Sequence, residues 1–167
     1  IRVDGAQLRC RVVGEGGNLG LTQLGRIEAA ARGVRVNTDA IDNSAGVDTS
    51  DHEVNIKILL GDVVRAGGLD LTARNTLLAS MTDEVAAHVL RDNYEQNVLL
   101  GNARAQQHAM LPVHQRLIHW LEEHQDLDRA LEFLPGDTEL ASRMRDDSGL
   151  TSPEFSVLIA YAKLALK

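Results

Sequence analysis

Cysteine is almost missing from this chain. Cys10 is the single one among 167 residues, so no disulfide framework can form within it, and a reducing compartment fits. Its place in the β-branched run Leu8 to Val13 makes it buried filler. Long apolar runs are missing too. None approaches the ~20 residues that a membrane-spanning helix needs, and "IRVDGAQLRC" has neither the basic start nor the apolar centre of a secretory leader. Positive charge is in deficit, with 17 Lys and Arg against 24 Asp and Glu and a formal charge of −7. Such a balance repels a phosphate backbone and excludes nucleic acid as an expected partner. No internal repeat or low-complexity tract occurs. What remains is ordinary: 44% hydrophobic and 25% charged residues, enough to bury one core. The chain is therefore expected to be globular and cytoplasmic, without membrane contact. It starts at Ile1 rather than Met and stops within the apolar run "LTSPEFSVLIAYAKLALK", so it reads as a piece of a longer polypeptide.

Two stretches have strand character, Leu8 to Val13 and Val34 to Asn37, both short and β-branched. Between them Thr22 to Arg32 carries Leu24, Ile27 and Ala31 at helical spacing. Strand, helix and strand make a βαβ unit, parallel and right-handed by default. From Ser50 onward the pattern is helical. "SDHEVNIKILLGDVVRA" opens with Ser50 and Glu53 in capping-box spacing and sets Val54, Ile58 and Leu59 in one apolar stripe. Further helices are expected over "ARNTLLASM" behind Thr72, over "TDEVAAHVLRDNYEQNVLLGNARAQQHAM" up to Pro112, over "VHQRLIHWLEEHQ", and over "LDRALEFL" behind Asp126. A loop at "PGD" leads to a short helix closed by Gly149. A last helix has Pro153 and Glu154 in its first turn, with Leu150 stapled onto Phe155. The expected fold class is α/β, predominantly α: a partial Rossmann-like βαβ unit followed by a helical array.

"GEGGNLG", Gly14 to Gly20, lies between the first strand and the helix at Thr22, and Asp39 follows the second strand. That order imitates a dinucleotide fingerprint, in which glycines admit a pyrophosphate to a helix N-terminus and an acid binds a ribose. Yet the third glycine falls one residue late for G-x-G-x-x-G, and Glu15 and Asn18 occupy places where small neutral residues let phosphate approach. A strand-to-helix turn without any ligand is the other reading. In the next loop, "DAIDNSAGVDTSDHEVN" places Asn43 before small Ser44, Ala45 and Gly46, and Ser50 at the expected helix start. Asn43 offers a donor and an acceptor, and a hydroxyl at a helix N-terminus suits a carboxylate. Equally, Ser50 can serve only as a cap and Asn43 only as an Asx-turn.

Taken together, "GEGGNLGLT" and "DNSAGVDTSDHE" resemble the paired motifs E-G-A-N-x-P-T-T and N-A-G-G-V-x-V-S-x-x-E of glutamate dehydrogenases. "NLGLTQLGRIE", "MTDEVAAHVLRDNYEQN" and "LTSPEFSVLIAYAKLALK" look like the very large bacterial NAD-dependent branch, and the resemblance covers essentially the whole chain. It implies an enzyme that oxidatively deaminates L-glutamate to 2-oxoglutarate and ammonia with NAD, working as a homo-oligomer. It implies that residues 1–48 end the nucleotide-binding domain and 49–167 form the helical region behind it. By the same resemblance, Asn18 and Asn43 match residues on the nicotinamide-ribose side of the cofactor, and Ser50 matches the serine that binds the substrate's side-chain carboxylate. The glycine loop is then not the pyrophosphate cradle. Gly17 stands for the family's Ala, Leu19 and Gly20 flank the place of its Pro, and Ser44 and Ala45 stand for Ala and Gly. The family's catalytic Lys and Asp match nothing here, so no catalytic residue is assigned and weak or no NAD binding is expected of the chain alone.

The histidines 108, 114, 119 and 124 are five or six residues apart, without H-E-x-x-H or a Cys partner, so no metal site is expected. Leu117, Trp120 and Leu121 form an apolar stripe that reads as core or a domain interface, and Glu122, Glu123, Asp126 and Asp128 read as a solvated face. The competing view of the chain is a non-catalytic helical interaction or assembly module.

Overall fold

Side-chain caps start several of the helices. In the computed structural model, which describes residues 2–166, Thr22 accepts the Gly25 N–H and opens α1, Gln23–Ala31. Helix α2, Asp39–Asp42, runs through Asn43 into α3, Ser44–Arg65. Asp70, not Thr72, caps α4, Leu71–Ser80, through the Ala73 N–H. The longest helix, α5, Thr82–Ala105, follows directly. The run expected to continue to Pro112 breaks at Gln106, and α6, Gln107–His124, contains that proline. Pro112, the sixth residue of α6, lacks the N–H that would bond the carbonyl of His108 one turn back, and the helix runs through it. The "LDRALEFL" segment closes as a turn instead of a helix, with Asp128 Oδ1 accepting the N–H groups of Ala130 and Leu131. Helices α7, Asp137–Arg145, and α8, Ser152–Ala165, complete the chain.

The expected βαβ unit is not formed. Among the described residues there is no strand and no sheet, only one isolated parallel bridge between Val12 and Arg35. The Val13 N–H donates to Arg35 O at 2.9 Å and the Arg35 N–H to Arg11 O at 2.9 Å. β-branched residues favour extended backbone, but a strand exists only where successive residues pair with a neighbour. Neither segment finds more than this single bridge. The α/β, Rossmann-like expectation is therefore corrected to a helical fold. Cys10 is exposed rather than buried, because its segment has no partner to cover it.

Two cores hold the helices. The larger joins Leu100 of α5, Leu111, Ile118 and Leu121 of α6, Leu140 of α7 and Phe155, Val157 and Leu158 of α8. Residues Ser152 through Leu158 are buried without a break, as expected for a helix surrounded on all sides. The smaller core, Ala29, Val34 and Val36, seats α1 against the extended segments. Gly149 passes so close to α6 that an added β-carbon would lie 2.5 Å from Gln107 Cβ. By contrast Val54, Ile58 and Leu59 are 54–64% exposed, so the apolar stripe of α3 faces outward and only Leu60 of that helix is buried. No described helix is long and apolar enough to cross a membrane.

Candidate functional site

The turn before α1 carries a buried ion pair that the sequence pattern did not disclose. Glu15 and Arg26 are each about 95% buried, at 4% and 5% exposure. Arg26 Nε donates to Glu15 Oε2 at 2.5 Å and Nη2 to Oε1 at 3.1 Å, a bidentate arrangement. Asp39 Oδ1 lies 3.3 Å from the same Nη2. Burial opposes the charge of Arg26, but Glu15, with Asp39 and Asp42 behind it, outweighs burial and raises the guanidinium pKa. A usable signal was present. Arg26 shares the inner face of α1 with Ala29, which is fully buried, while Leu24, expected on that face, is 56% exposed. A lone charge on a buried face requires an acid.

The same carboxylates hold the turn by its backbone. Leu21 N–H donates to Glu15 Oε1 at 2.8 Å, Leu19 N–H to Asp39 Oδ2 at 3.1 Å, and Glu15 N–H to Asp42 Oδ2 at 2.9 Å. Asp39 is thus engaged inside the protein instead of standing free for a ribose. Among the described residues nothing beyond their immediate chain neighbours lies within 4 Å of where β-carbons would be at Gly14, Gly16 and Gly17, so this side of the turn is open to an approaching molecule.

Asn18 and Asn43, 25 residues apart, meet at the mouth of this turn. Asn43 Nδ2 donates to Asn18 Oδ1 at 3.1 Å in an exposed position. Among the described residues the Asn18 amide nitrogen and the Asn43 amide oxygen have no hydrogen-bond partner, which leaves a donor and an acceptor side by side. Gly46 makes room for this amide: a β-carbon there would lie 3.1 Å from Asn43 Oδ1. Ser44 anchors the start of α3, its Oγ 2.9 Å from Ile41 O, 2.5 Å from Asn93 Oδ1 of α5 and accepting from Gln96 Nε2 at 3.2 Å.

Ser50 is not at a helix start. Helix α3 begins at Ser44, so Ser50 lies within the helix, and its hydroxyl donates to Val47 O at 2.7 Å in an exposed position. Glu53 pairs with Lys57 instead of closing a capping box. Seven residues separate Asn43 from Ser50, which sets Ser50 on the same helix face roughly 10 Å farther along the axis. Of the three residues singled out, two touch and the third shares their face.

Away from this face, Asp48, His52 and Asp92 bring one ligand atom each within 4.8 Å of the others. All three are half-buried, and none belongs to the histidine series considered from the sequence. His119 instead joins Arg129 and Gln115 on Asp137. Glu122 of the supposed solvated face pairs with Arg129.

A family model described as bacterial NAD-glutamate dehydrogenase, catalytic domain, matches residues 1–103. NAD-specific glutamate dehydrogenases are similar along the full length of the chain: 58% identical in Halomonas elongata, 54% in Pseudomonas aeruginosa and 53% in Mycobacterium tuberculosis. The chain covers 10% of each of these relatives, about a tenth of their length. The family model accounts for both loops that carry Asn18 and Asn43, together with α1 to α4 and most of α5, and the similarity does not stop where it ends. The chain belongs to the bacterial NAD-glutamate dehydrogenase family.

Proposed function

We propose that this chain is part of an enzyme that oxidatively deaminates L-glutamate to 2-oxoglutarate and ammonia, with NAD as hydride acceptor. The observation that carries the reading is the 3.1 Å contact between Asn18 and Asn43 on an open, glycine-flanked turn. Residues 1–48 supply the cofactor side and 49–167 the helical region that supports it. The surroundings fit a nicotinamide ribose: glycines without bulk, and an amide donor next to an amide acceptor. Asn18 and Asn43 bind and orient the ribose. Ser50 hydrogen-bonds the side-chain carboxylate of glutamate on the same helix face. When bound, NAD supplies the carbon that accepts the hydride, and holding cofactor and substrate on one rigid helix fixes their separation. No residue of this chain is assigned the proton transfer. A cytoplasmic homo-oligomer is the form expected for the enzyme.

The exposed apolar residues of α3, α4 and α5, among them Leu59, Leu71 and Leu90 at 64–69% exposure, favour a second reading, an assembly module without a catalytic role. Kinetics of the full-length enzyme separate the two. Loss of one neutral hydrogen bond is worth ~0.5–1.5 kcal/mol and loss of one to a charge ~1.5–3 kcal/mol. Asn18→Ala and Asn43→Ala are thus expected to raise the KM for NAD about tenfold, and Ser50→Ala to raise the KM for glutamate roughly 10- to 100-fold. Wild-type constants in all three variants would leave only the assembly reading.

A further inference from the structure

Arg26 touches neither Asn18 nor Asn43, yet three backbone N–H groups of the turn that presents Asn18 are held by the acidic side chains around it. Its bidentate partner Glu15 takes the Leu21 N–H, its second partner Asp39 takes the Leu19 N–H, and Asp42, whose field it also feels, takes the Glu15 N–H. Leu19 adopts a left-handed backbone at φ 60° although it is not glycine. Its side chain is 81% exposed, so packing does not impose that conformation. Its N–H is held by Asp39 Oδ2 at 3.1 Å, and a strained residue persists only where its surroundings over-determine it. Asn18 is the residue immediately before it.

We infer that Arg26 is a positioning residue for the cofactor: by gathering Glu15 and Asp39 it fixes the turn in the conformation that sets the Asn18 amide against Asn43. This rests on the reading of Asn18 as a nicotinamide-ribose contact. The physical argument is one of convergence. Without the guanidinium, Glu15 is a buried carboxylate with no counter-charge, and it must protonate or turn toward water. Turning away releases the Leu21 N–H, and protonation replaces its charged acceptor with a weaker neutral one. Asp39, 20% exposed in its side chain, is then free to rotate to solvent and release Leu19. The turn relaxes from its left-handed residue, and the donor and acceptor at its mouth separate. The helical core, which contains none of these side chains, is unaffected.

The test uses the full-length enzyme, with steady-state kinetics and amide hydrogen exchange. Arg26→Gln is expected to raise the KM for NAD about tenfold, to leave the KM for glutamate within twofold, and to speed exchange at the Leu19 and Leu21 amides at least tenfold. Arg26→Lys, which keeps the charge but not the fork, recovers part of the NAD affinity. A merely structural role would lower the fraction of active enzyme and leave both Michaelis constants where they were. If Arg26→Gln does not fold, Asp39→Ala removes the Leu19 restraint directly and is expected to give the same split, at three- to tenfold. Adding either change to Asn18→Ala should produce no further rise. An unchanged NAD constant in folded Arg26→Gln or in Asp39→Ala, equal rises for both substrates, or full additivity with Asn18→Ala overturns the inference. If Asn18→Ala has no effect on NAD, the ribose reading itself fails; if Asn18→Ala is impaired while Asp39→Ala is not, only the positioning role fails.

Discussion

Gly46 shows how a single missing β-carbon can be set against stability. It lies inside α3, where glycine is less favourable than alanine by about 1 kcal/mol, yet a β-carbon there would press on Asn43 Oδ1 at 3.1 Å. Gly46→Ala is expected to raise stability by up to ~1 kcal/mol, as read by urea denaturation of the chain. In the full-length enzyme the same change should raise the KM for NAD several-fold, because Asn43 must turn away from Asn18. A variant that is more stable and binds NAD unchanged would show that the amide has room to spare. At this scale the sequence singled out polar residues but not the contacts between them. Asn18 and Asn43 were singled out by resemblance, while their contact across 25 residues depends on how two turns fold back. Ser50 was taken for a cap because Glu53 follows at the proper spacing. Helix α3 had already begun at Ser44, where the Asn93 and Gln96 side chains of α5 meet the serine.

Among the elements, α8 was the most legible, since its signals are local. Thr151 and Glu154 form the capping box, Pro153 stands in the first turn, and Leu150 and Phe155 are both in the core. What the local pattern omits is Arg143, which grips the Glu154 carboxylate at 2.8 and 2.9 Å and also donates to Gly149 O at 3.1 Å. Glu154 is only 1% exposed. Burial opposes the Arg143 charge, and Glu154 with Glu139 outweighs it, raising the guanidinium pKa. Arg143→Met leaves a buried carboxylate without its counter-charge and is expected to cost ~3–5 kcal/mol. Urea titration of the chain measures this, and a loss under 1 kcal/mol would mean that the cap alone satisfies Glu154. The extended segments were the least legible elements. "RCRVV" and "VRVN" have the composition of strands, but pairing is decided by neighbours, and only Val12 and Arg35 pair.

For the whole chain, the open side of the Asn18 turn and the outward apolar stripe of α3 have one consequence for ligand binding. The chain alone presents few polar contacts to a dinucleotide, and these oppose an association entropy of ~4–15 kcal/mol. Calorimetry of the isolated chain with NAD at millimolar concentration is therefore expected to show no saturable heat. A micromolar isotherm abolished by Gly16→Val would restore the glycine turn as a pyrophosphate cradle and displace the ribose reading.

The sequence by itself determined the family, through two short polar motifs in order and long matching strings on either side. It also determined the start of α5 and the places of α7 and α8, because a helix is written in neighbours three and four residues apart and in caps adjacent to its ends. Only the tertiary structure decided that the first segments form no sheet, that Arg26 and not Leu24 faces inward, and that α3 starts ahead of Ser50. Each of these depends on a partner far along the chain. A strand needs a second backbone, a buried charge needs its opposite, and a helix end needs whatever satisfies its first N–H groups. Spacing within one segment carries none of that information.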